Sequence, residues 1–76
     1  MYRIRSFGKD RECGSIDELQ RTLTQTYQGQ SVAVSYRAGS TGMLRTVFID
    51  VREDGELTAS YGAQERIDLN TLATAN

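Results

Sequence analysis

From residue 31 to residue 61 the chain alternates apolar and polar side chains, and turn signals interrupt the alternation at two places. "SVAVSYR" sends Val32, Val34 and Tyr36 to one side and Ala33, Ser35 and Arg37 to the other, the pattern of a half-buried strand. "AGSTG" then brings two glycines and two hydroxyl residues, the composition of a hairpin loop. The next strand puts Met43, Val47, Ile49 and Val51 on one side and Leu44, Thr46, Phe48 and Asp50 on the other. Arg45 shares the first side but lies near the strand's start, where its charge reaches solvent. Asp54-Gly55, inside "REDGE", is the strongest short hairpin signal a sequence carries, and Leu57, Ala59 and Tyr61 resume the apolar side after it. A period of two kept through two reversals specifies an antiparallel meander with one apolar face, and that face needs a cover.

The cover is in "CGSIDELQRTLTQTYQGQ". Ser15 followed three residues later by Glu18 is a capping box, and Asp17 adds negative charge where the helix dipole favours it. Ile16, Leu19, Leu23 and Tyr27 draw one apolar stripe at spacings of 3, 4 and 4, and Gly29 supplies the stop. Gln, Thr, Arg and Glu fill the rest of the surface, so the helix buries one side only.

Ahead of it, "MYRIRSF" places Tyr2 and Ile4 opposite Arg3 and Arg5 and adds a fourth strand; "GKD" offers a turn back into a short "REC" strand. In "ERIDLNTLATAN", Asp68 can cap a short helix carrying Leu69 and Leu72, or Ile67 and Leu69 can belong to an edge strand; we take strand through residue 68 and then a turn. The expected fold is α+β: a single two-layer domain over residues 1–76, one amphipathic helix on one face of a mainly antiparallel four-stranded sheet, in β-α-β-β-β order.

Two layers leave one sheet face bare. Its expected residues include Arg3, Arg5, Arg37, Leu44, Thr46, Phe48 and Asp50, an aromatic and an aliphatic side chain set among arginines. That is the make-up of an interface centre, so these seven are the expected partner-binding residues. The same face can pair with its own copy across a two-fold axis, giving a homodimer. With one aromatic, a net charge of -1 and no RNP-like string, it is a poorer match to a surface for single-stranded nucleic acid, although its arginines and Phe48 outline one.

Chemistry finds little to work with. There is no His, so Cys13 and the serines lack their usual base, and we expect no enzymatic activity. The acids from Asp50 to Glu56 flank a hairpin tip, without the burial that acid–base catalysis uses. "DVREDG" imitates the start of a calcium loop, but Arg52 and Tyr61 occupy positions three and twelve, where acids are required. "GSTGM" has neither the spacing nor the Lys of a phosphate loop. No metal or cofactor is expected.

A lone cysteine forms no intramolecular disulfide, which suits a reducing cytoplasmic setting. No apolar run approaches the roughly 20 residues a membrane span needs, and "MYRIRSFGKD" has no apolar core of the kind a signal peptide carries. Charge is unevenly spread: residues 1–12 sum to +2 and residues 50–76 to -4.

In size, composition and layout the chain resembles the small single-domain inhibitors encoded by phages and mobile elements, anti-CRISPR proteins among them. That resemblance implies function by occlusion, with the protein seated on a host nuclease or defence complex. The order of strand, "SIDEL" helix start and following hairpins is similar to that of small toxin-immunity proteins, which implies neutralisation of a toxin instead.

Overall fold

The protein's structure, a computed structural model, describes residues 1–37, 41–60, 66–70 and 72. Five strands, β1 (Tyr2–Ser6), β2 (Lys9–Cys13), β3 (Ser31–Arg37), β4 (Leu44–Val51) and β5 (Leu57–Ala59), form one sheet in the order β2-β1-β3-β4-β5. Every neighbouring pair is antiparallel. The single long helix, α1 (Ile16–Thr26), covers one face.

Register turns the alternation into a core. Ile4 stands opposite Val34, and Val34 opposite Val47; Val32 faces Ile49, which faces Ala59. Ile4, Val34 and Ile49 are fully buried, and so are Leu19 and Leu23 from the helix stripe, with Ile16 and Tyr27 packed beside them. Tyr2 and Tyr36 pair across β1 and β3 with ring centroids 6.4 Å apart, and the buried Cys13 stands opposite Tyr2 on the other side.

Local chemistry fixes both ends of α1. The Ser15 hydroxyl accepts the Glu18 backbone N–H at 3.2 Å, and Glu18 reaches back to accept the Gly14 N–H at 2.7 Å, one residue ahead of the usual capping-box donor. At the other end Tyr27 N–H still bonds Leu23 C=O, and Gly29 turns the chain with a φ of +77°. Gly29 N–H then donates to Val51 C=O at 2.7 Å, which ties the helix exit to β4.

The sheet has one strand more than the four expected. Phe7 and Gly8 both take positive φ, +50° and +76°, and make the two-residue mirror-image turn that pairs Ser6 with Lys9. "KDREC" shows no apolar alternation because it is an edge strand, exposed except at Cys13. Met43, expected on the buried side, is 61% exposed and lies before β4 begins. The reason is length: eleven helical residues span about 16 Å, whereas the eight residues of β4 span about 27 Å.

After β5 the strand expected through residue 68 reduces to a single bridge. Arg66 pairs with Thr58, and Ile67 N–H donates to Leu57 C=O at 2.8 Å. Asp68 then accepts the Asn70 backbone N–H at 3.0 Å, and Leu69 and Leu72 are buried, as in the capped-helix reading of this segment. Tyr61, residues 38–40 of the first hairpin loop and the last four residues lie outside the described set. Among the described residues no helix is long and apolar enough to cross a membrane.

Candidate protein-binding face

All seven residues expected on the bare face lie there. The register sets them in rows: Glu12, Arg3, Ser35 and Thr46 in one; Asp10, Arg5, Ala33 and Phe48 in the next; Arg37 opposite Leu44; Ser31 opposite Asp50 and Thr58. Side chains in a row stand about 5 Å apart on neighbouring strands, and most of them join. Arg3 Nη2 lies 2.9 Å from Glu12 Oε1 and Arg5 Nε 3.3 Å from Asp10 Oδ1. The Ser35 and Thr46 hydroxyls are 3.2 Å apart, and Ser31 donates a short hydrogen bond to Asp50. Arg37 Nη1 donates to Gly42 C=O at 2.9 Å, holding the end of the β3–β4 loop against β3.

Two register positions place an apolar side chain on this surface instead. Leu44 is 60% and Phe48 49% exposed. They do not adjoin: four residues apart on one strand, they stand about 13 Å from each other with Thr46 between. Phe48 faces the small Ala33 on β3. Toward the other end, Met1, Arg3, Arg5, Ser35, Arg37 and Leu44 are among the residues around an open groove of about 620 Å³.

The face is thus a sheet surface whose polar side chains hold one another in place, with two separated apolar points. It is also less basic than its arginines suggest. Arg3 and Arg5 are matched one for one by acids on β2, so only Arg37 faces a neutral acceptor. Of these acidic partners, Asp10 fell in the expected turn and Glu12 in the expected short strand, a segment with no strand periodicity to set its register. The alternation of charge, Arg3 and Arg5 against Asp10 and Glu12, was the one signal that could have paired them.

Two further features lie off the expected set. Phe7, at the tip of the β1–β2 hairpin, is 90% exposed. The acidic segment Asp50–Asp54 faces Gly29, Gln30 and Ser31 across an open cleft of about 600 Å³. No protein-family model, curated protein or solved structure matches this chain.

Proposed function

We propose that the chain is a non-enzymatic protein-binding module of the cytoplasm that acts by occlusion, most concretely by seating its bare sheet face on a host nuclease or defence complex. The observation that carries the reading is the exposure of Phe48 and Leu44 on a strand whose opposite side is core. An exposed aromatic between fixed polar pairs is a hot spot with a ready rim. The cross-strand pairing of Arg3 and Arg5 favours a protein over a nucleic acid, because each paired guanidinium would have to release its acid before it neutralised a phosphate.

The test is phage plating on a host with active CRISPR immunity, with and without this chain. Expression restores plating, and Phe48→Asp abolishes the effect while circular dichroism shows an unchanged fold. Folded wild-type protein that leaves immunity intact overturns the anti-defence assignment, and a folded Phe48→Asp variant that still protects phage overturns the assignment of this face.

A further inference from the structure

Phe7 is in the wrong place for its own domain. A bulky residue at positive φ is a backbone outlier, and Asn or Gly is what such a turn ordinarily selects. The ring makes no return on that strain within the chain, being 90% exposed. Lys9, where the turn enters β2, and Arg11, two residues farther along that strand, are both exposed and without an ion pair among the described residues. A two-residue hairpin holds this aromatic knob stiffly in a basic setting, and strain of this kind concentrates where a segment meets a ligand.

The complement is on the same molecule. The cleft between Gly29–Ser31 and Asp50–Asp54 carries Asp50, Glu53 and Asp54 against a single Arg52. Glu53 lies along Gly29, where a side chain would otherwise stand, and has no ion pair among the described residues. Knob and cleft are neighbours: the Ser6 hydroxyl, next to Phe7, lies 3.4 Å from the amide oxygen of Gln30, which lines the cleft. One chain cannot use both together, since its own Phe7 stands in solvent. Two chains can. When a knob and its receptor lie side by side at one end of a molecule, a two-fold axis between copies seats each knob in the other's cleft, closing the contact twice.

We propose that this chain self-associates as an isologous dimer in which Phe7, with Lys9 and Arg11 on the strand that follows it, docks in the acidic Gly29–Asp54 cleft of a second copy. The charge split between residues 1–12 and 50–76 is then the electrostatic signature of the contact. Most of the bare sheet face stays outside it, so the dimer would carry two such faces.

Sedimentation equilibrium on the full chain tests this. Wild type forms a dimer that weakens as salt rises; a monomer at all concentrations up to the millimolar range overturns the proposal. Phe7→Asn weakens the dimer by about tenfold or more while keeping or raising the melting temperature, since Asn suits the turn. An unchanged dimer in that folded variant overturns it.

The decisive arm is a charge swap. Lys9→Glu alone and Glu53→Lys alone each set like charges against each other in both contacts and weaken the homodimer. Mixed together they form a heterodimer in which one contact is native and the other has its charges exchanged, so association returns toward wild type. A mixture no tighter than either variant overturns the pairing. Phe48→Asp leaves dimerisation unchanged, which separates this contact from the bare face, the surface through which the sequence alone led us to expect the copies to pair.

Discussion

Leu23→Ala against Phe48→Ala is the sharpest test of which way β4 faces. Leu23 is fully buried between α1 and the sheet. Alanine removes three carbons, about 2.4 kcal/mol at the usual transfer cost per methylene, and the cavity left behind brings the loss to about 2–5 kcal/mol. A domain of 76 residues has only about 4–11 kcal/mol in total, taking 0.05–0.15 kcal/mol per residue. A loss near 3 kcal/mol lowers the melting temperature by roughly 12–24 °C at this size. Phe48, larger but 49% exposed, contributes about 1 kcal/mol or less. Urea titration followed by circular dichroism measures both on one scale. If Phe48→Ala costs as much as Leu23→Ala, β4 is registered the other way and the face described above is core; if Leu23→Ala costs under about 0.5 kcal/mol, the stripe does not pack on the sheet.

Ser15→Ala removes the hydroxyl that accepts Glu18 N–H and is expected to cost about 0.5–2 kcal/mol in the same urea assay. Gly29→Ala should destabilise by about 1–2 kcal/mol, from backbone strain alone: φ is +77°, and the nearest atom to an added Cβ, Glu53 Oε1, is a comfortable 3.8 Å away. A double-mutant cycle on Arg3 and Glu12, both about half exposed, should give a coupling below about 1 kcal/mol that fades with added salt, which would place the value of the pair in orienting the face rather than in holding the fold.

What could be read from the sequence was whatever a single period announces. The stripe Ile16, Leu19, Leu23, Tyr27 is one period; Val32, Val34, Tyr36 and Val47, Ile49, Val51 are another; each appears in the structure packed against the other. β2 was legible only in outline, as a turn at "GKD" into a short "REC" strand, because an edge strand buries almost nothing: in "KDREC" only Cys13 enters the core, and one position has no period. The turn was expected at "GKD" and falls one residue earlier, at Phe7-Gly8, because Phe-Gly does not advertise a left-handed pair as Asn-Gly does. Without the register of β2, the sequence did not show that Arg3 and Arg5 have acids opposite them, and so overstated how basic the bare face is. Leu69 and Leu72 reach the core from a segment that follows the sheet, where the strand we took through residue 68 gives way to a single bridge at Arg66; burial at a spacing of three fits the capped helix that was the alternative.

The placement of the aromatics runs against ordinary burial preference. Tyr2, Tyr27 and Tyr36, each with a hydroxyl to keep hydrated, pack against or within the core, while both phenylalanines, which have no polar atom on the side chain, stand at the surface. Folding alone selects the reverse arrangement. Phe7 moreover occupies a backbone position where almost any change toward Asn or Gly would relieve strain. A local choice that opposes the stability of its own domain points to a constraint from outside the fold. The two phenylalanines stand at different sites, one on a flat face between cross-strand pairs and one on a stiff basic tip. The two partners proposed above, one foreign and one a second copy, would account for both, and a variant stabilised at Phe7 yet impaired in association would show that constraint directly.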